Sequence, residues 1–416
     1  MLIAFHFPPI LGSSGVHRTL NFCRYLPDNG WEPLLLTVKP FVYEKTSEAQ
    51  LADVPPRLVV RRAWALDSAR HLSIKGRYFD FTANPDRYAS WRWSAIPAGL
   101  ALVKRFEPQV VWCTYPIATT LQIGRRIAMA AHLPLVVDFR DLMVDNDYPP
   151  SIVIRRRYER IERESVVSAA RVVLTTPASR EICTQRYPNV PASHWACIYN
   201  GYNEDDFKHW LPAQQPPARP NGCLQLLHSG LLDPVDRDPV PFFDAIAALR
   251  RAGVVSAKSL RVSLRATAHD DKYQPVLAAR GIEDIVKLLP ATDYPSALRE
   301  MAQADGLLVF QGRTCNHLIP AKLYEYLRVG RPILALTERH GESGRMLLAA
   351  GVDSLVRMES AAEIQVTLPR FLEQIRNGTA PRAPAEFVIR YSRQSQTRDL
   401  ANLFADVSTS GRRAAR

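Results

Sequence analysis

No cysteine pair, no long apolar run and no dinucleotide-binding glycine fingerprint mark this chain, and each absence narrows what it can be. The six cysteines (Cys23, Cys113, Cys183, Cys197, Cys223 and Cys315) are scattered without a C-x-x-C spacing. Neither a zinc site nor a disulfide framework is indicated, and they read as small buried apolar residues. No apolar run approaches the ~20 residues that span a bilayer. The opening MLIAFHF reads as a strand rather than as a signal segment, which predicts a protein that stays in the cytoplasm. The spacing G-x-G-x-x-G is missing, which disfavours a nicotinamide dehydrogenase. The D-x-D spacings that occur, Asp145–Asp147 and Asp236–Asp238, are not read as the metal-binding pair of a metal-dependent transferase. Asp205-Asp206 and Asp270-Asp271 are adjacent pairs suited to turns. No metal and no cofactor are therefore expected. No helix-turn-helix, zinc-finger or RNA-platform motif accompanies the positive charge, so nucleic acid is not an expected partner.

What is present is an ordinary globular composition with a basic bias. The 416 residues are 47% hydrophobic and 23% charged, with a formal net charge of +12. That length suits two α/β domains better than one core. The excess of Lys and Arg lies mainly in the first half, which points to anionic lipid or phosphorylated ligands. Short apolar runs alternate with helical spacings from the start. Leu2–Phe7 reads as a strand, Val16–Leu26 as a helix and Trp31–Val38 as a strand. The same rhythm continues to His194–Ile198. A proline-rich stretch (Pro212, Pro216, Pro217, Pro220) reads as a connector, and a second α/β run starts at Leu224. The expected domains are 1–198 and 199–388, followed by a helix over 389–407 and a disordered tail over 408–416. The fold class is α/β, two Rossmann-like domains facing a cleft.

The strongest local signal is Ile319–Leu336, IPAKLYEYLRVGRPILAL. Lys322 opens a helix, Glu325 lies one turn in, Gly330-Arg331-Pro332 ends it, and a strand follows. A helix N-terminus beside a lysine suits a diphosphate, and Lys322 and Glu325 share a helix face. A solvated Lys–Glu pair is the plainer alternative. Asn316 and His317 stand in the preceding loop. His228-Ser229-Gly230 follows the first strand of the second run, where Gly230 permits close approach of a phosphate and Arg237 can neutralise one. In the first half, Gly12, Gly15 and Arg18 follow the first strand. Tyr115 lies at one strand end, and Asp138, Arg140 and Asp141 at the next. These positions suit an acceptor, or else a glycine turn and a salt-bridged corner. Trp91–Arg105 and the arginine-rich Arg155–Arg163 suggest an anionic membrane surface, and the second of them could instead be an ordinary solvated charged helix.

Together these segments resemble the GT-B glycosyltransferases of the retaining family-4 type. Leu133–Asp141 is similar to the family's P-x-V-x-D-x-R-D segment. Ile198–Phe207 resembles its N-G-x-D lead-in to the second domain, and Lys322–Pro332 resembles K-x-x-E-Y-x-x-x-G-x-P. Tyr391-Ser392 and the last helix are similar to the helix that crosses back to the first domain. The resemblance implies transfer of a sugar from a UDP- or GDP-linked donor to an acceptor hydroxyl, without a metal. Arg237 and Lys322 would be catalytic. Gly230, Asn316, His317, Leu323 and Glu325 would join them in holding the donor, with Glu325 on the ribose. Gly12, Gly15, Arg18, Tyr115, Asp138, Arg140 and Asp141 would line the acceptor side. His317 stands where the family's first glutamate is expected. The resemblance and the basic first half together imply a lipid-linked or glycan acceptor in bacterial surface polysaccharide synthesis, at the inner face of the cell membrane. If the reaction inverts, Asp138 or Asp141 would be the general base. A GT-B-like epimerase and a non-catalytic binding scaffold are the alternatives.

Overall fold

The structure is a computed structural model that describes all residues except 12–14, 74, 76, 146–147, 209–221 and 415–416, and the side chains of 410–414 are also outside the description. Gly12 and the proline-rich connector therefore lie outside the described residues. The chain divides into two units. One comprises Met1–Tyr199 with Arg393–Arg416, and the other Asn200–Ser392.

In the first unit the strands are β1 (Leu2–Ile3), β2 (Leu34–Val38), β3 (Val59–Ala63), β4 (Val111–Thr114), β5 (Leu135–Phe139), β6 (Arg171–Leu174) and β7 (Trp195–Cys197). The helices are α1 (Gly15–Tyr25), α2 (Ser68–His71), α3 (Trp91–Phe106), α4 (Ala118–Ala131), α5 (Ile152–Ser168) and α6 (Pro177–Arg186). The strands pair in parallel in the order β3-β2-β1-β4-β5-β6-β7. Helices cover such a sheet on both faces, so its strands are continuous apolar runs. β2 (LLLTV) and β5 (LVVDF) are buried throughout. Alternate residues divide between two cores. Leu34, Leu36, Val111, Cys113 and Val137 enter one, and Leu35, Val110, Trp112 and Val136 enter the other.

Trp91–Arg105 lies in α3, and its first tryptophan is fully buried in the former core. One face of that helix packs into the core through Trp91, Ala95 and Leu102. Only Trp93 is strongly exposed among the two.

The second unit repeats the plan. Its strands are β8 (Leu224–Ser229), β9 (Leu260–Arg265), β10 (Val286–Leu289), β11 (Gly306–Phe310), β12 (Ile333–Leu336) and β13 (Leu355–Val356). Its helices are α7 (Val240–Arg251), α8 (Asp270–Arg280), α9 (Tyr294–Gln303), α10 (Ala321–Val329), α11 (Glu342–Ala349), α12 (Ala361–Arg376) and α13 (Ala385–Val388). The parallel order is β10-β9-β8-β11-β12-β13. Both sheets thus reverse their winding beside their first strand. Ligands bind outside the carboxyl ends of the strands at such a switch point.

The last helix, α14 (Arg393–Ala414), belongs to the first unit. Leu400, Ala401, Leu403, Phe404 and Val407 pack with Val16, Leu20, Phe22 and Cys23 of α1 in one core. Helix α14 takes in most of the segment read as a tail. No helix among the described residues is long and apolar enough to cross a membrane.

Candidate functional site

The switch point of the second unit lies between β8 and β11. The loops after these two strands, with the start of α10, bring the donor-side residues together. Gly230 follows β8 with φ +119°, a conformation open to glycine. A Cβ there would stand 2.7 Å from Lys322 Nζ. The missing side chain is what lets the lysine lie over this loop.

Beneath it, His228 is fully buried. Its Nδ1 lies 2.8 Å from the Leu308 carbonyl oxygen, an acceptor, so Nδ1 carries the ring proton. Nε2 then accepts from Lys322 Nζ at 3.0 Å, and it also lies 3.1 Å from the Gly230 oxygen. Burial and the nearby Lys322 and Arg237 cations push the His228 pKa well down, which keeps the ring neutral. His228 is thus a fixed acceptor that aims the lysine.

Arg237 is placed by its loop. The Asp233 carboxylate accepts from the Val235 and Asp236 amides, and the Arg237 amide donates to the Asp233 main-chain carbonyl at 2.8 Å. Asp236 is clamped to the loop after β11. Its carbonyl accepts from the Gly312 amide at 2.8 Å, and its carboxylate accepts from Thr314 Oγ1 at 2.6 Å. Arg237 Nε is buried without a hydrogen-bond partner among the described residues. Burial, then Arg237, lowers the Lys322 pKa from the ordinary lysine value to about 7, while Glu325 opposes the shift. Two cations that act on each other electrostatically, with no carboxylate paired to either among the described residues, make a candidate anion site.

Glu325 lies one turn along α10. Its Oε1 accepts from Tyr294 Oη at 2.9 Å, and the same phenol lies 3.4 Å from Asp206 Oδ2. Burial and these two carboxylates push the Tyr294 pKa up. Tyr326 is buried, and its Oη accepts from the Ser229 amide at 2.9 Å, which ties α10 to the end of β8.

The other donor-side residues are less engaged with the pair. Leu323 is fully buried and its amide donates to Pro320, so it supports the core rather than reaching a ligand. Asn316 faces the start of α11. Its carbonyl accepts from the Glu342 amide at 2.8 Å, and a Cβ on Gly341 would lie 2.7 Å from its Oδ1. His317 is half-buried in the loop before α10.

The first unit needs a larger revision. Arg18 and Asp138 are buried, and they form a bidentate pair through Nε–Oδ2 at 3.0 Å and Nη2–Oδ1 at 2.7 Å. Thr114 Oγ1 also donates to Asp138, and Arg18 donates to the carbonyls of Ile198 and Tyr199. This corrects the expectation that either side chain meets an acceptor, because their polar atoms are spent on each other and on the backbone. Tyr115 is buried as well. Its amide donates to the Asp138 carbonyl and its own carbonyl accepts from Arg140 Nε at 2.7 Å. Gly15, Arg140 and His6 do come together. A Cβ on Gly15 would fall onto the Arg140 guanidinium and lie 2.9 Å from His6 Nδ1. Burial, then Arg140, lowers the His6 pKa to about 4. Asp141 is exposed beside them.

Sequence reasoning passed over Tyr294, Tyr326, His6 and the role of His228. The strand end at His228-Ser229-Gly230 was visible, but ring burial and tautomer are not readable from a string.

Residues 14–201 match the family model described as "Glycosyl transferase 4-like domain". No curated protein matches the chain by sequence. Among solved structures it is similar in fold to sucrose-phosphate synthase from Thermosynechococcus elongatus, with 15% identity over 98% of each chain and a TM-score of 0.65. It is also similar to Anabaena HepE in complex with UDP and glucose, with 15% identity, 98% of this chain, 100% of that one and a TM-score of 0.65. The apo lipopolysaccharide outer core galactosyltransferase WaaB shows 14% identity, 98% and 100% coverage and a TM-score of 0.60. The two-unit architecture is therefore the GT-B fold.

Two outcomes are expected from this geometry. Arg18→Ala strands a buried carboxylate and lowers stability by about 3–5 kcal/mol, read by urea unfolding. A loss near zero would return Arg18 to the surface. By NMR, the Lys322 amine titrates near 7, and Arg237→Ala raises that value by removing a like charge. The charged amine costs stability in full below about pH 7. That cost is relieved as pH rises toward the ordinary lysine value, because the unfolded chain then holds the extra proton.

Proposed function

We propose that this glycosyltransferase moves a sugar from a nucleoside-diphosphate donor, UDP- or GDP-linked, to a hydroxyl of a lipid-linked or glycan acceptor in surface polysaccharide assembly. The observation that carries the reading is the Arg237–Lys322 pair at the switch point of the second unit. Lys322 Nζ lies over the Gly230 loop, Arg237 acts on it electrostatically, and no carboxylate is paired to either among the described residues. A diphosphate supplies the missing negative charge. The names of HepE, bound to UDP and glucose, and of WaaB, a galactosyltransferase, support the substrate class.

In the proposed reaction the bond from the sugar's anomeric carbon to the diphosphate oxygen breaks, the acceptor hydroxyl oxygen bonds that carbon, and charge builds on the departing oxygen, which takes up the hydroxyl proton. Arg237 and protonated Lys322 meet that charge without reorganising, where preorganised donors act most strongly. His228 holds the amine in line through Nε2. Glu325, with Tyr294 on its carboxylate, is the expected ribose ligand one helical turn away. The cations do the work a metal does elsewhere, so we propose metal-independent transfer with retention. On the first unit, Gly15, His6, Arg140 and Asp141 are the groups proposed to meet the acceptor. The proposed location is the cytoplasmic face of the membrane.

The test is release of nucleoside diphosphate from a panel of sugar nucleotides, with and without acceptor. Lys322→Ala is expected to lower the rate by about 10²–10³-fold. For the wild type, kcat/KM for the donor should fall as pH rises through about 7, because the free enzyme then loses the Lys322 proton. Undiminished release by Lys322→Ala would sink the site. Tight donor binding with no turnover would instead favour a non-catalytic binding protein, the reading that His317 in the glutamate position admits.

A further inference from the structure

Phe79 and Phe81 of the first unit are 70% and 73% exposed, and their rings stack with centroids 5.6 Å apart. Between them, Asp80 accepts from Arg157 Nη2 at 2.8 Å, which joins this segment to α5. One turn back on α5, Val153 is 53% exposed, and Ile152 beside it is 60% exposed. Soluble surfaces scatter single apolar side chains, but they seldom gather several large ones at this exposure without a partner. Arginines follow directly, with Arg156 exposed next to Arg157.

Two of the three acids on α5 do less to cancel this charge than their number suggests. Glu162 is buried and accepts from Arg186 and Tyr187. Glu164 is shared between Arg125 at 3.3 Å and Arg160 at 3.9 Å. The first turn of α5 carries no acid at all.

We infer that Phe79, Phe81, Ile152 and Val153, with Arg156 and Arg157 around them, form a docking surface for an anionic lipid bilayer. Aromatic and aliphatic side chains of this size enter the headgroup region, where the hydrocarbon boundary receives them. Guanidinium groups at the same level pair with lipid phosphates in a forked geometry. An acidic protein partner would satisfy the arginines, but the stacked, protruding phenylalanines favour a fluid apolar phase. The inference extends the lipid-linked acceptor proposed above, yet it concerns a different surface and is tested without donor or acceptor.

The experiment is co-sedimentation of the full chain with vesicles of equal parts phosphatidylglycerol and phosphatidylcholine, against phosphatidylcholine alone, at rising salt. Wild type is expected to bind the anionic vesicles at low salt and to weaken as salt rises. Phe79→Ser with Phe81→Ser should bind them more than about tenfold more weakly, with nucleotide release unchanged. Arg156→Glu should act in the same direction and flatten the salt dependence. No binding at low salt, equal binding to both vesicle types, or undiminished binding by the double phenylalanine variant would each overturn the inference. None of these outcomes bears on Lys322, so a failed docking surface and a failed transferase site are distinguishable.

Discussion

The electrostatic opposition of two like charges, Arg237 and Lys322, is the constraint that marks the candidate donor site of the second unit. Cations placed together in a half-buried loop region repel, and nothing in their own chemistry would bring them there. The scaffold imposes the arrangement. A left-handed glycine leaves room for the amine, a neutral buried histidine accepts from it, and the clamp from Asp236 to Gly312 and Thr314 sets the arginine. The cost appears in the lysine itself, whose pKa falls to about 7. On the proposed reading, such an arrangement is completed by the donor's diphosphate, which is the electrostatic form of preorganisation.

The first unit shows the opposite solution at the equivalent end of its sheet. There the arginine after β1 meets its carboxylate directly, and the pair is buried. It holds α1, β4, β5 and the chain at Ile198–Tyr199 together, and it offers little to a ligand. A strand order shared by both units therefore supports two different uses of charge, one closed and structural and one open.

The alternation of strands and helices was legible because parallel, doubly covered strands must be apolar on both faces. Runs such as Leu34–Val38 and Gly306–Phe310 carry that mark. Strand β3 was missed because it alternates exposed and buried residues at the sheet edge, and β13 because it has two residues. Helix α3 was obscured by its internal Pro97 and by tryptophans that face opposite ways. In the site, Lys322 and Glu325 were readable from a helix start placed after a strand. Arg18 and Asp138 were misjudged because position at a strand end is visible in a string, whereas burial is set by what packs above. Tyr294 was invisible for the same reason, since its contact with Glu325 joins residues 31 apart in sequence.

The central claim is that Lys322 receives a proton when a diphosphate takes its place between the cations. Calorimetric titration of a sugar nucleotide, repeated near pH 7.5 in buffers of different ionisation heat, measures this directly, because the donor's own diphosphate does not titrate there. Net proton uptake on binding, absent in Lys322→Arg, is the expected result. Equally tight binding with no proton uptake by the wild type would contradict the account.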